Sequence, residues 1–435
     1  MRLVGASNEF FYYTQSGEGA IFDIRFNIDF TDNISVPVMK DSVSRALELY
    51  PEFSMRPVIK DNRLWYEENS APAPVFEEDR IICFGTDDTN GYLFRIVCKG
   101  RNMSISLYHG IADAIGVFSF VRTALYFYMK GIGRSVPTDN ATANLLGIRL
   151  DKSDIPDLDR QDTFDPYRAF GDVSCEPEWK YENPGAFVIP EATYAPEKNA
   201  FRVFDITMSV KAFLAKTKEI GVSVVPLLGA VAAKAIASVY DTEGKPINAM
   251  LPVNLRTQFE TSTVVNMSDG VILPVGAEML GKTHAEIASE LKTIMRAQMT
   301  KNNYCRMIAN KTAAVEAFEN KGDIFEAAKA GATPPPQGAV RPVTYALTYP
   351  GKVDLPEAYA GLVENYSVCT LVRAFSLMGV TYGDRMQIEV LQRFDSDKLV
   401  NAIADEFREI GLDAELFDHG IEQGNLMILE KLKKA

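Results

Sequence analysis

Three histidines are the side chains of this chain best suited to proton transfer near neutral pH. His109 directly follows an alternating strand pattern over Asn102–Tyr108 and precedes Asp113 by four positions. His284 begins an amphipathic helical pattern, where a solvated first-turn residue is expected, and His419 lies in an Asp-His-Gly segment typical of a surface loop. His109 is therefore the candidate general base.

The position of His109 carries more information than the His-x-x-x-Asp spacing, which three histidines produce by chance roughly one time in six. A strong strand pattern runs into His109 and an apolar helix pattern follows, so His109 is expected at the edge of a sheet, facing a cleft. The dipole of that helix favours Asp113 in its first turn and disfavours an imidazolium. We interpret Asp113 as a residue that fixes the geometry around His109, with an ordinary first-turn acid as the alternative.

The elements around this junction predict an α+β protein. A strand pattern at 21–30 is followed by a helix pattern at 36–49, and the same order recurs at 200–207 and 210–219. The strands that follow are not separated by regular helices, which argues against a doubly wound sheet. Towards the C-terminus we expect one long strand at 367–381, joined by Tyr-Gly-Asp-Arg to the next.

The length of 435 residues corresponds to two large domains or three smaller ones. The stretch 131–199 is rich in Pro, Asp and Asn and weak in periodicity, which predicts a crossover between two halves. We place the halves at 1–170 and 171–435. The Thr-Pro-Pro-Pro-Gln-Gly segment at 333–338 is expected to be a loop.

Five scattered cysteines without a Cys-x-x-Cys pair predict free thiols in a reducing compartment, and we expect a cytoplasmic protein. The segments 81–86 and 92–99 flank Asp-Asp-Thr-Asn-Gly and predict a hairpin. A two-residue turn there would set Cys83 opposite Cys98, whereas a longer loop would set Cys83 opposite Phe94. Free thiols are expected in either register.

The chemistry that the composition disfavours is also clear. The net charge of −13, without a basic run, argues against nucleic acid. Neither a metal-ligand spacing nor a nucleotide-binding glycine motif occurs, so no metal and no tightly bound cofactor are expected. The longest apolar stretch, 114–129, is interrupted by Arg122 and Thr123, and we expect a buried helix there and no membrane span.

At this point the sequence resembles the chloramphenicol acetyltransferase-like acyltransferase superfamily, whose signature is HHxxxDG or HxxxD at such a junction. The run from Tyr108 to Asp113 matches its core. RALELYPEFSMRPVI at 45–59 and LPVNLR at 251–256 resemble two further family segments, and Asn266 follows where many members have Gly-Asn. The resemblance extends from about residue 10 to residue 415.

Departures from the family pattern indicate which branch of the superfamily the chain resembles most. Tyr108 stands where the first histidine is usual, Ala114 stands in place of the glycine after the aspartate, and no DFGWG motif is present. The Tyr-Gly-Asp-Arg segment at 382–385 occupies only the approximate position of that motif. These differences argue against a standard plant BAHD enzyme or condensation domain and favour the alcohol acetyltransferase-like branch.

The resemblance implies two acetyltransferase-like halves, each a mixed sheet flanked by helices, with a tunnel between them. His109 would deprotonate a hydroxyl or amine of a small acceptor, which attacks the thioester of acyl-CoA as co-substrate without a covalent enzyme intermediate. Asp113 would be structural and paired with Arg256. The oxyanion donor would be Asn266 or the Thr348–Tyr349 segment, and the remaining site-supporting candidates are Tyr108 and Tyr382, the latter a rim or core aromatic like Tyr349.

Two alternatives stay open at this stage. The acyl donor could be an acyl carrier protein, although the net charge of −13 weighs against binding such acidic partners. The chain could also be a non-catalytic binding relative in which the changes at Tyr108 and Ala114 have relaxed the site. Acceptor identity and acyl length depend on pocket shape.

Overall fold

The computed structural model describes residues 2–14, 16, 23–136, 143, 147–161, 165–170, 185–190, 200–332, 343–353, 355, 359, 361–370 and 375–434. Its strands are β1 (Arg2–Leu3), β2 (Asp23–Phe30), β3 (Met55–Lys60), β4 (Arg63–Glu68), β5 (Val75–Phe76), β6 (Phe94–Lys99), β7 (Asn102–Tyr108), β8 (Ala200–Ser209), β9 (Ile247–Asn254), β10 (Ser268–Val275), β11 (Tyr345–Thr348), β12 (Val363–Thr370), β13 (Phe375–Tyr382), β14 (Arg385–Gln392) and β15 (Glu415–Gln423).

The helices surround these strands. They are α1 (Ala6–Thr14), α2 (Val36–Leu47), α3 (Ala114–Gly131), α4 (Pro166–Phe170), α5 (Val210–Ile220), α6 (Val224–Val239), α7 (Arg256–Phe259), α8 (Ala277–Leu280), α9 (His284–Gln298), α10 (Lys301–Glu319), α11 (Ile324–Ala332) and α12 (Lys398–Glu409). Helices and strands alternate irregularly, and the expected α+β class, with two sheet-rich parts flanked by helices, is confirmed.

A five-stranded sheet with the order β12-β2-β7-β6-β5 carries the first half. Period-two alternation turns the apolar side chains of β2, β6 and β7 to one face. There Phe26 meets Phe118 of α3 with ring centroids 5.3 Å apart, and Phe94 meets Phe120 at the same distance. Burying this face on α3 fixes β7 in the middle of the sheet, and with it the point at which β7 ends.

A seven-stranded sheet with the order β10-β9-β11-β13-β14-β8-β15 carries the second half, and a separate three-stranded sheet has the order β1-β4-β3. Helix α6 packs against α9 and α12. The run Ala230–Ala233 of α6 is fully buried, because small side chains let this helix approach its neighbours closely.

The expected single strand at 367–381 is wrong. Two strands occupy this region, β12 and β13, and they belong to different sheets. β12 pairs antiparallel with β2 over Val363–Thr370, whereas β13 pairs with β14 and β11. A strand from the C-terminal part of the chain therefore completes the sheet of the N-terminal part. An apolar alternating pattern is continuous across such a switch, which is why the sequence does not reveal it.

The expected hairpin across residues 87–91 is also wrong. Asp87–Thr89 forms a short 3-10 turn capped by the Thr86 side chain, so the chain turns before it can pair with β6. The segment before it pairs instead with the C-terminal region, with Leu426 N donating to the carbonyl of Ile82 at 2.8 Å. Cys98 lies opposite Met103, and four cysteines are free thiols. Cys175 lies outside the described residues.

The crossover at 131–199 is described only in part, with α4 and two short 3-10 turns, and the expected loop at 333–338 lies outside the described residues. Within the described ranges, no single helix is long and apolar enough to cross a membrane. The pair α5 and α6 reaches that length and composition only together, and these two helices meet at an angle of 91°.

Candidate active site

The junction between β7 and α3 positions His109 and Asp113. β7 ends at Tyr108, and Asp113 is the N-cap of α3, where its Oδ1 accepts a hydrogen bond from the Gly116 N–H at 3.1 Å. A Cβ at Gly116 would come within 2.2 Å of the carbonyl oxygen of Val264. The first turn of α3 therefore needs this glycine to lie against the loop that follows α7.

Asp113 and Arg256 form a buried, two-point ion pair. Arg256 Nη1 lies 2.8 Å from Asp113 Oδ2, and Nη2 lies 3.0 Å from Oδ1. Arg256 also donates to the carbonyls of Thr263 and Val265 at 2.6 and 2.7 Å, and the Met267 N–H donates to Asp113 Oδ2. The expected pairing is present, and it joins the start of α3 to the end of β9.

The hydrogen bonds to Asp113 decide its charge. Burial alone would raise the pKa of Asp113, but the charge and hydrogen bonds of Arg256, with the N–H groups of Met267 and Gly116, hold that pKa below its ordinary value. An isolated antiparallel bridge between Ala112 and Val265 adds to this connection. Asp113 is thus a fixed carboxylate whose acceptor sites are filled, and it is not free to take up a proton near neutral pH.

Asn266 lies against His109. Its amide nitrogen is 3.4 Å from both the Nδ1 and the carbonyl oxygen of His109. Its side-chain oxygen accepts from the N–H and the hydroxyl of Ser268 at 3.2 and 2.8 Å. Because both ends of this fully buried amide are occupied, Asn266 holds the Nδ1 edge of the imidazole in place.

The imidazole of His109 is half-buried and stacks on Phe11 of α1, with ring centroids 4.7 Å apart and an angle of 16° between the rings. Burial lowers the pKa of His109, and the positive charge of Lys311 lowers it further. Asp113 and the carbonyl groups of His109 and Ala112 act in the opposite direction but do not outweigh burial. His109 is therefore neutral at physiological pH and able to accept a proton.

Sequence reasoning missed Phe11, Tyr167 and Lys311. They lie on α1, α4 and α10, which are far apart along the chain, and no spacing rule connects them with His109. The aromatic content of α1 indicates a buried helix, yet only the packing of α1 against α4 and α10 brings Phe11 onto the imidazole and Lys311 onto the rings of Phe11 and Tyr167.

Tyr108 lies beside the site but is turned into the core. Its ring lies 5.0 Å from that of Tyr12, and a Cβ at Gly110 would come within 2.3 Å of it. Its buried hydroxyl has no hydrogen-bond partner among the described residues. The residue in place of the usual first histidine therefore fills space around the chain reversal at Gly110.

The other predicted site residues lie farther along the C-terminal sheet. Thr348 ends β11 and is half-buried. The Tyr349 hydroxyl hydrogen-bonds that of Thr381 at 3.0 Å, and the Tyr382 hydroxyl donates to the carbonyl of Val363 at 2.8 Å. The structure thus brings Asp113, Arg256 and Asn266 together around His109, whereas both tyrosine hydroxyls are occupied elsewhere.

The remaining histidines have acidic partners of their own. His284, expected in solvent, is buried, and its Nε2 lies 2.6 Å from the carboxylate of Glu406 on α12. His419 is partly exposed, and a hydrogen bond from its Nε2 to Asp205 raises its pKa. No group of three or more His, Cys, Asp or Glu side chains within the described ranges could hold a metal ion.

Comparison with known proteins gives no match to a family model and no match to a curated protein by sequence. Solved structures do match. The trichothecene 15-O-acetyltransferase TRI3 of Fusarium sporotrichioides superposes with a TM-score of 0.64 at 11% identity, covering 94% of both chains. TRI101 of F. graminearum, complexed with coenzyme A and deoxynivalenol, gives 0.63 at 11% identity, covering 96% of this chain and 99% of that one.

Domains of peptide synthetases share the same architecture. The epimerization domain from the third module of tyrocidine synthetase B gives a TM-score of 0.60 at 11% identity, covering 94% of this chain and 96% of that domain. At such identities the likeness concerns the fold. The chain shares its fold with these acetyltransferases and synthetase domains, and this is the architecture that the resemblance implied.

Proposed function

We propose that this protein is an acyltransferase that moves an acyl group from a CoA thioester to a hydroxyl or amine of a small acceptor. The observation that carries the proposal is the environment of His109. A neutral imidazole is held on one edge by Asn266 and on one face by Phe11, next to a saturated ion pair. The architecture shared with acetyltransferases such as TRI3 supports it.

The proton transfer follows from the orientation of the ring. Nδ1 is turned toward Asn266 and the backbone, so Nε2 is the nitrogen left for the acceptor. For Nε2 to accept a proton, Nδ1 must carry the ring hydrogen and donate it to the backbone, with the Asn266 amide on the carbonyl of His109. The acceptor oxygen or nitrogen then attacks the thioester carbonyl, and the proton passes from His109 to the departing CoA sulfur.

Asp113 and Arg256 act through the backbone in this scheme. Asp113 caps α3 and is bonded to Arg256, so the pair fixes the chain segment that carries His109. Positioning of this kind matters because a small displacement of a catalytic group costs much of the rate. We place the substrate tunnel between halves 1–170 and 171–435, which this pair connects.

The charge that develops on the thioester oxygen needs its own donor. Asn266 is committed to His109 and Ser268, so we assign it to orientation and keep the Thr348–Tyr349 segment as the proposed donor region. We further propose a reducing, cytoplasmic setting without a tightly bound cofactor. The free thiols of the four described cysteines support the reducing setting.

A carrier-protein donor is the second candidate. The observation that favours it is the architecture shared with domains of peptide synthetases. The net charge of −13 opposes it, because carrier proteins are usually acidic. Comparing acyl-CoA with an acyl-loaded carrier protein in one assay separates the two donors.

The test is thiol release from acyl-CoA across a panel of alcohols and amines. His109→Ala should lower kcat/KM by about 10²–10⁴-fold, the contribution of a positioned general base. His419→Gln is the matched control, because it removes another imidazole from a partly exposed position on β15. Equal rates for the parent and His109→Ala, or a parent without transfer to any acceptor from either donor, would reject the catalytic assignment.

A further inference from the structure

A lysine is enclosed by aromatic rings beside His109. The Lys311 side chain on α10 is only 11% exposed. Its Nζ lies 5.3, 5.8 and 5.0 Å from the ring centroids of Phe10, Phe11 and Tyr167. A cation over aromatic faces is stabilised by their quadrupoles, more so where water is excluded.

The ammonium group has fixed polar partners as well. Lys311 Nζ donates to the Tyr167 hydroxyl at 3.2 Å and to the Ser268 carbonyl at 3.1 Å, and it lies 3.6 Å from Asp269 Oδ2. Tyr167 donates to the same Ser268 carbonyl at 2.7 Å. The ammonium group is thus held by three elements besides its own helix, α1, α4 and β10, and none of these contacts leaves it a role in proton transfer.

Phe11 links this enclosed lysine to His109. Its ring stacks on the imidazole and also receives the Lys311 ammonium group. The polar side of the cluster connects to the same place, because Ser268 bonds both Lys311 and Asn266, and Asn266 contacts His109. Lys311 is therefore connected to the imidazole in two ways, through the ring of Phe11 and through Ser268 and the amide of Asn266.

We propose that Lys311 is a positioning residue of the His109 site, which holds Phe11 and Ser268 in place and brings a fixed positive charge beside the imidazole. The inference rests on the proposed function for its catalytic consequence, but protonation of His109 is measurable without turnover. Lys311 does not contact the reacting atoms in this scheme.

The charges around His109 set the direction of the effect. Lys311 from α10 is the cation that disfavours a protonated imidazole, and Asp113 from the start of α3 is the anion that favours it, reduced by its ion pair with Arg256. Removing the Lys311 charge also leaves Asp269 without this partner. Both changes favour the imidazolium, so the pKa of His109 should rise.

The experiment is an NMR titration of the imidazole signals, and a chain with three histidines makes it tractable. His109→Gln assigns the signal of interest. Lys311→Met should raise the pKa of His109 by about half a unit to one unit, the effect of one nearby charge at intermediate dielectric. Lys311→Arg keeps the charge and should restore most of the parent value, while the signals of His284 and His419 should not move.

Lys292→Met is the control, because Lys292 is another helix lysine, partly buried, whose ammonium group bonds the carbonyl of Gly221 at an exposed position. An unchanged pKa of His109 in folded Lys311→Met would overturn the proposal. Lys311→Gln provides a second neutral variant that can still donate to Ser268. If both neutral variants unfold while Lys311→Arg folds, Lys311 serves stability alone and the proposal fails.

Kinetics separate this inference from the proposed function. If both hold, Lys311→Met shifts the acidic limb of the pH profile of kcat/KM to higher pH, together with the pKa of His109. Lys311→Arg restores the parent profile. If the titration shifts but no thiol release occurs in any variant, the inference about Lys311 stands and the acyltransferase assignment fails. If thiol release depends on His109 but the pKa of His109 is the same in Lys311→Met as in the parent, the inference about Lys311 fails and the acyltransferase assignment stands.

Discussion

Among the described residues, Arg256 and Arg149 are buried arginines whose carboxylate partners are buried as well, and their surroundings differ. Arg256 bonds Asp113 at two points, and the carboxylate also accepts from the backbone N–H groups of Met267 and Gly116. Arg149 instead faces two carboxylates at once, with Nη2 at 3.2 Å from Asp159 and Nη1 at 3.6 Å from Glu52.

The second site is short of donors. Neither carboxyl oxygen of Glu52 accepts a hydrogen bond from a described donor group, and Oδ1 of Asp159 is in the same situation. Burial, and then the charge of Asp159, raise the pKa of Glu52 to about 8, although Arg149 opposes the shift. The pKa of Asp113 is instead lowered. The two pKa shifts differ in direction because Arg256 and backbone N–H groups serve a single carboxylate, whereas Arg149 is shared by two buried carboxyl groups that repel each other.

The largest effect should come from breaking the saturated pair. Asp113→Ala leaves Arg256 buried without its carboxylate and removes the cap of α3, so the free energy of unfolding should fall by about 3–5 kcal/mol. Denaturant unfolding at pH 7 measures this. Asp405→Ala is the control, because its ion pair with Arg408 is exposed and should change stability by less than about 1 kcal/mol. A loss at Asp113 no larger than at Asp405 would contradict the contrast.

A pH-dependent effect of the opposite sign is expected at the donor-poor site, where removing the titratable group should stabilise the fold. The folded state keeps the proton of Glu52 up to about pH 8, whereas the unfolded chain releases it near pH 4.3. Glu52 therefore costs stability increasingly as pH rises from about 4.3 to about 8, because the folded state binds more protons than the unfolded state.

Glu52→Gln removes this dependence. The variant should resemble the parent near pH 4.5 and exceed its free energy of unfolding by a growing margin up to about pH 8. Urea unfolding at a series of pH values measures the difference between the two curves. Parallel curves would show that Glu52 is already ionised in the folded state and that burial beside Asp159 does not raise its pKa.

The smallest effect is expected at a buried hydroxyl, a neutral group that can be compared with the two buried carboxylate sites. The Tyr108 hydroxyl is buried and has no hydrogen-bond partner in the part of the chain that the structure describes, so Tyr108→Phe should leave stability unchanged or raise it by up to about 1 kcal/mol. Tyr12→Phe is the matched control, because its hydroxyl bonds that of Tyr66 at 3.1 Å and its loss should destabilise. Thermal unfolding of both variants measures the difference. Equal losses would mean that the Tyr108 hydroxyl has a partner in solution.

Regular patterns in the sequence predicted the local elements well. The strand β7 has the predicted bounds, because strict alternation ends where the strand ends. His109 and Asp113 stand out for the same reason, since a strong strand runs directly into a helix. The Asp113–Arg256 pairing depended on the family resemblance, because nothing local connects residues so far apart.

What the sequence did not predict depends on which distant segments meet. The sequence around β12 does not show that this strand belongs to the other sheet, because strands of both sheets have the same alternation of apolar and polar residues. The buried partner of His284 is on α12, so its solvent-exposed first-turn expectation failed for a tertiary reason. The sequence does not distinguish Lys311 from other helix lysines, because only the packing of α1 and α4 around it encloses its side chain.

The pairing of β12 with β2 bears on how this chain is made. During synthesis the N-terminal sheet emerges with the outer edge of β2 open, because β12 is the strand that covers it. At about 5–20 residues per second, the ribosome needs tens of seconds to reach Thr370 from Phe30. An open edge is a template for pairing with other chains. The nascent protein thus passes through an interval in which chaperone binding to the N-terminal part would protect it from aggregation.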